Sequence, residues 1–99
     1  MKYRLRHTKE ALEDFDRLYD FLIAYDVGLA ERALLAIQSA LGMLTEFPFS
    51  CRKAHKDNAL LRELLVPVGY SGDVVLFMID DSETVTIAAV RHQREEDYH

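Results

Sequence analysis

The sequence predicts an α+β domain of two layers: an N-terminal strand, an antiparallel helix hairpin, a three-stranded antiparallel meander and a short C-terminal tail, with the helices packed on one face of the sheet. Three observations carry that prediction. Apolar residues recur at helical period on both sides of a short break at Asp26-Val27-Gly28. From Leu60 onward the period becomes that of strands. Within that second half, Asp73–Ile79 (DVVLFMI) is apolar at each position after its first, as a central strand covered on both faces requires.

The elements follow in order. Lys2–Arg6 alternates, with Tyr3 and Leu5 on one side and Lys2, Arg4 and Arg6 on the other, the pattern of a half-buried strand. Thr8 caps a helix running from Lys9 to about Tyr25, although Ala11 at its third position precludes a full capping box. The inner stripe of this helix is Leu12, Phe15, Tyr19 and Leu22, flanked by Leu18 and Ile23, and Glu13 and Arg17 form a favourable pair four residues apart. Asp26 caps a second helix, from about Leu29 to Glu46, whose inner stripe is Ala30, Leu34, Ile37, Leu41 and Leu44. So short a break makes the pair an antiparallel hairpin.

Phe47-Pro48-Phe49 ends the second helix, and Ser50–Asn58 (SCRKAHKDN) reads as a polar, basic loop. Leu60–Val66 is a strand stopped by Pro67, the mark of a strand end or a sheet edge. Gly69–Gly72 turns the chain into the central strand, Asp80-Asp81-Ser82-Glu83 is a hairpin loop, and Thr84–Val90 is the last strand. Three strands this close in sequence form a meander.

Composition limits the function. Ninety-nine residues with 49% hydrophobic and 29% charged residues make one globular domain, spanning 1–99. A formal charge of −5 argues against phosphate-rich nucleic acid as the direct partner. The lone Cys51 excludes an internal disulfide and fits a reducing cytoplasm. No apolar run is read as membrane-spanning, and the charged N-terminus lacks the apolar core of a secretory signal. Cys51 and His55 are four apart, but two ligands do not close a zinc site, so no metal and no cofactor are expected.

Two stretches remain after the core is assigned. After Arg32 the second helix carries no charge until Glu46, and Leu35, Ala36, Ser39 and Met43 occupy the side where a surface helix is normally charged. Either Leu35 and Met43 pack on the first helix or the sheet, or this is a second apolar face kept for a partner. The other stretch is Arg91-His92-Gln93-Arg94-Glu95-Glu96-Asp97-Tyr98-His99, directly after the last strand. His92 has the chemistry of an acid or base near neutral pH, and the arginines that of bidentate anion binders. The competing assignment is a structural tail whose arginines pair with Glu95, Glu96 or Asp97.

The element order resembles the RelE/ParE superfamily of toxins from type II toxin–antitoxin systems over nearly the whole chain. The resemblance rests on Leu61-Arg62-Glu63-Leu64-Leu65-Val66, on Phe77-Met78-Ile79-Asp80, and on Ala89-Val90-Arg91-His92-Gln93-Arg94-Glu95 with Tyr98. RelE-like members cut messenger RNA on the ribosome with a lysine–arginine cluster and a C-terminal tyrosine, whereas ParE-like members lack the cluster and poison DNA gyrase. This chain has Asp73 and then only apolar residues where an RNase relative carries an arginine, and Glu63 and Leu64 where basic residues belong. Arg62, His92, Arg94 and Tyr98 are what remains for an RNase alternative. The resemblance therefore implies the ParE-like branch, acting by binding rather than catalysis, with Arg62, Arg91, His92, Arg94 and Tyr98 as target-binding candidates. It further implies a cognate ParD-like antitoxin in a hetero-oligomer, with Leu35, Ala36, Ser39 and Met43 as its binding candidates. A degenerate toxin that only binds antitoxin is the third alternative.

Overall fold

The computed structural model describes residues 2–68 and 71–92. Its elements run β1 (Arg4–His7), α1 (Lys9–Ile23), α2 (Val27–Leu44), a 3-10 turn at Pro48–Ser50, β2 (Arg52–His55), β3 (Asn58–Val68), β4 (Ser71–Ile79) and β5 (Thr84–His92). The expected tail beyond residue 92 lies outside the described residues. One five-stranded sheet has the order β1-β5-β4-β3-β2. β2 to β5 form an antiparallel meander, and β1 joins parallel to β5. The helix hairpin makes the connection that parallel pairing demands, and it packs on the sheet.

The α+β architecture agrees with the sequence, and the central position of β4 does too. Several boundaries differ by a few residues, and three differences change the sheet. The stretch read as a loop contains β2, whose polar RKAH sequence is that of an exposed edge strand with almost no buried side chain. The meander is therefore one strand longer than expected. Pro67 does not stop β3, which continues to Val68. β2 pairs with β3 only as far as Arg52↔Glu63, so among the described residues no strand lies on the outer side of β3 at Pro67, an edge position that proline tolerates. Finally, β5 runs two residues past Val90, so Arg91 and His92 belong to the sheet.

The helix faces are rotated from the expected stripes. α1 buries Ala11, Leu18 and Leu22, whereas Leu12 is 53% exposed. α2 buries Ala30, Ala33, Ile37 and Leu44, with Leu34 left 43% exposed. Ala11, Ala30 and Ala33 are enclosed beside Leu18, Leu22, Ile37 and Leu44, and Leu12 and Leu34 lie at the flanks of the buried faces. Both caps form as expected: the Thr8 hydroxyl accepts from Ala11 N at 3.0 Å and the Asp26 carboxylate from Leu29 N at 3.2 Å. Arg17 pairs with Asp14 at 3.2 Å rather than with Glu13, which instead approaches Lys9 at 4.0 Å. In the β4–β5 hairpin loop, Glu83 N donates to Asp81 at 2.8 Å and holds that exposed carboxyl below its ordinary pKa. Among the described residues one helix, α2, is long and apolar enough by length and composition to cross a membrane, a correction to the sequence reading; here its Ala30, Ala33, Ile37 and Leu44 belong to the core.

The core joins these residues to Val66, Val75, Phe77, Ile79, Val85, Ile87 and Val90. Phe77 is the largest fully buried side chain and lies in the middle of the central strand. Phe77→Ala removes its ring from a closed core and is expected to lower unfolding free energy by about 3–5 kcal/mol, read by chemical denaturation. A midpoint equal to that of the parent would take Phe77 out of the core.

Candidate functional site

The end of β5 is built by α1. β1 pairs with β5 only from Arg4↔Thr84 to His7↔Ile87. Beyond that row, the outer backbone groups of β5 need other partners. The first turns of α1 supply them. Thr8 N donates to Ile87 O at 3.0 Å, and the Thr8 hydroxyl donates to Ala88 O at 3.1 Å. Val90 N donates to an Asp14 carboxylate oxygen at 2.9 Å, and Arg17 Nη2 donates to Val90 O at 3.3 Å. The β4–β5 register shifts in this stretch, from Leu76↔Ala89 to Phe77↔Ile87, so Ala88 is the extra residue of a bulge. The helix thus takes over where β1 stops, and it fixes the row in which β5 ends.

That row holds a buried polar pair. Asp73 and His92 face one another in register, and their Oδ1 and Nδ1 atoms are 2.8 Å apart. Asp73 is 0% and His92 2% exposed, and the Phe21 ring lies 5.7 Å from the imidazole. The expected role of His92 as an exposed tail group does not match this position. The imidazole sits behind α1, on the side of the sheet that carries the helices, with a carboxylate as its partner. The inward phase of β5 (Val85, Ile87, then Val90 and His92 after the bulge) was visible in the sequence once the strand is extended. Asp73, at the start of an apolar strand, was the second signal.

The other candidates are dispersed. Arg62 is partly buried and spends its guanidinium on the chain around it. Nε donates to Ala59 O at 2.6 Å, Nη1 donates to Cys51 O at 2.7 Å and Phe49 O at 3.3 Å, and the group lies 5.2 Å from the centre of the Phe49 ring. It pins the 3-10 turn to β3. Arg62 pairs with Phe77, and Asp73 with His92, so the two rows lie four positions apart along β4. Arg91 pairs with Val74, whose side chain alternates to the face opposite Asp73 and Phe77. The structure therefore does not bring Arg62, Arg91 and His92 into one constellation. Arg94 and Tyr98 lie outside the described residues. Cys51 is buried at the end of the 3-10 turn, and burial is the main reason its thiol pKa is raised; His55 is exposed on β2.

The helix hairpin presents two unlike outer surfaces. α1 is amphipathic, with Glu10, Glu13, Asp16, Arg17 and Asp20 exposed. α2 is not: Leu35 is 65% exposed, Ser39 is exposed, and a methyl added at Gly42 would meet nothing within 4 Å. Ala36 and Met43, from the same expected face, are partly buried and pack against the core. The face therefore divides, with Leu35 and Ser39 outward and Ala36 and Met43 turned toward the core. Between the helices runs a cleft. Its inner pocket, about 40 Å³, is lined by Phe15, Leu18, Tyr19 and Leu34 among others, and by Asp73. Outside it, a recess of about 400 Å³ is bounded by Phe15, Asp16, Tyr19, Asp20 and Leu34.

Residues 5–97 match the family model of the ParE toxin of the type II toxin–antitoxin system parDE. Among solved structures the chain is similar to one described as the chromosomal ParDE toxin–antitoxin system from P. aeruginosa. That likeness has a TM-score of 0.69 at 15% identity, over 92% of this chain and 96% of the other, and it is a likeness of fold. No curated protein matches the sequence.

The buried pair has a measurable signature. His92→Ala leaves the Asp73 carboxyl buried without its imidazole and is expected to cost about 3 kcal/mol or more. Joint replacement of both by apolar residues of similar size should cost less than the sum of the single changes, with a coupling of about 1 kcal/mol or more in a double-mutant cycle. Strict additivity in denaturant melts would mean that the two groups do not depend on each other.

Proposed function

Because the chain belongs to the ParE toxin family of type II toxin–antitoxin systems, we propose that it is the toxin of such a pair, that it inhibits DNA gyrase in the cytoplasm by binding, and that a ParD-like antitoxin neutralises it by covering the helix hairpin. The observation that carries the antitoxin part is the uncharged outer side of α2, with Leu35 65% exposed. A surface helix normally carries charge along its outer side, and after Arg32 this one carries none while Leu35 stands exposed there. The likeness in fold to a ParDE system supports the same reading.

Gyrase is the target that family membership favours over the ribosome. Ribosome-dependent cleavage needs cations free to hold a phosphodiester and a group placed for proton transfer. Arg62 is engaged by backbone carbonyls and by Phe49, and His92 is buried on Asp73. The sequence carries an overall charge of −5. Each of these supports action by binding rather than by RNA cleavage.

Expression of the chain without its antitoxin is expected to give filamentous cells with DNA damage, and the purified protein to block gyrase supercoiling. Rapid translation arrest with codon-specific cuts in ribosome-bound message would replace this reading with the RNase one. No growth effect would leave an antitoxin-binding module.

The antitoxin face has its own test. Leu35→Glu places a charge on the exposed ridge and is expected to weaken antitoxin binding at least about tenfold, or about 1.4 kcal/mol, with an unchanged melt. Met43→Glu is a less selective probe, since Met43 also packs against the core, and it should lower stability as well as affinity. Calorimetry with the antitoxin reads the first effect. Unchanged affinity for Leu35→Glu would remove the outer side of α2 from the interface.

A further inference from the structure

We infer that the cleft between α1 and α2 is the charge-reading part of the antitoxin interface: it accepts a bulky apolar side chain from a helical antitoxin segment that carries Lys or Arg one turn to either side. The inference rests on the toxin–antitoxin reading and deepens it. The walls of the cleft are apolar, formed by Phe15, Tyr19 and Leu34, and Leu34 is 43% exposed although its neighbours in the stripe are buried. Among the described residues, each charged side chain that lines the inner pocket or the outer recess is a carboxylate: Asp73 within, and Asp16 and Asp20 at the mouth. Glu31, one turn before Leu34 on α2, is exposed on the same side of that helix.

Among the described residues, the cations on the two helices are directed elsewhere. Arg17 reaches the Val90 carbonyl and Asp14, Lys9 lies by Glu13, and the Arg32 guanidinium lies close to Gly28. The mouth of the cleft is thus an apolar opening that the described residues border with carboxylates. An apolar anchor gains by leaving water, and basic neighbours gain from the acids without a buried ion pair having to form. An acidic segment would meet like charge at each carboxylate.

The contribution of exposed acids to binding is read as salt dependence and association rate more than as affinity at high salt. The test measures binding of the antitoxin encoded beside the toxin gene to the parent and to the double variant Asp16→Lys/Asp20→Lys, at low and at high salt. The reversal is expected to weaken binding about 30-fold at low salt, with the gap narrowing as salt rises. Changing the antitoxin's basic residues in that segment to Glu should restore affinity for the variant while weakening it for the parent. Asp16→Asn/Asp20→Asn serves if the reversed protein melts early, with a smaller loss of the same salt dependence expected. Equal affinity and equal salt dependence for parent and variants would overturn the cleft assignment alone. An antitoxin that does not bind the parent at all would overturn the toxin–antitoxin reading, and this inference with it.

Discussion

The structure depends on what happens to the outer edge of β5 after β1 ends. β1 is four residues long and its pairing stops at Ile87, while β5 continues to His92. An open edge there would leave buried backbone groups unsatisfied and would offer a template for unwanted strand pairing. α1 closes it with side chains: Thr8 on the Ala88 carbonyl, Asp14 on the Val90 amide, Arg17 on the Val90 carbonyl. Thr8 does this while capping the helix, since its hydroxyl accepts from Ala11 N and donates to Ala88 O. One residue therefore starts the helix and fixes its register on the sheet.

This edge also explains why the helices approach so closely. Polar side chains as short as Thr8 and Asp14 reach a strand backbone only when the helix axis is near it. Ala11, 0% exposed, sits between them in sequence and permits that approach. On α2, Ala30 and Ala33 are enclosed as well, at 0% and 2% exposure, and line the pocket between the helices. The closely packed hairpin then seals the row in which Asp73 and His92 meet, and burial strengthens their mutual dependence because neither can exchange its partner for water.

Much of the fold was legible because periodicity reports burial on a scale of many residues. The change of period at Leu60, the short break at Asp26 and the apolar run of β4 each predicted the correct element. What was not legible depended on neighbours distant in sequence. β2 has no apolar signature because an edge strand with both faces wet needs none. The inner stripes were assigned by hydrophobicity, which favoured Leu12 and Leu34, whereas the packing encloses Ala11 and Ala33. His92 read as a tail group because strict alternation from Val85 and Ile87 would point it outward, and only the bulge at Ala88 turns it inward. Its partner Asp73 was noted for what it lacked as a cation, and its burial opposite an imidazole required the β4–β5 register. The candidate site was accordingly less legible than the fold: of its residues, the exposure of Leu35 follows from the helical pattern, and the use of Arg62 as a brace for the 3-10 turn does not.

The two helices were shaped by one requirement on their inner sides and by different ones outside. Both enclose small residues on their buried faces beside larger ones, and Leu12 and Leu34 are left at the flanks. On α1 the flank beyond Phe15 and Tyr19 became acidic, with Asp16 and Asp20. On α2 the flanking Leu34 and the outward Leu35 were left next to an uncharged ridge. Close packing therefore does more than stabilise the domain. By leaving leucines at the flanks it creates an apolar surface continuous from the cleft across α2, bordered on one side by carboxylates. A stable core needs no such surface. A protein that must be recognised by a partner along one helix, and oriented on it by charge, acquires this surface from the geometry that builds its core.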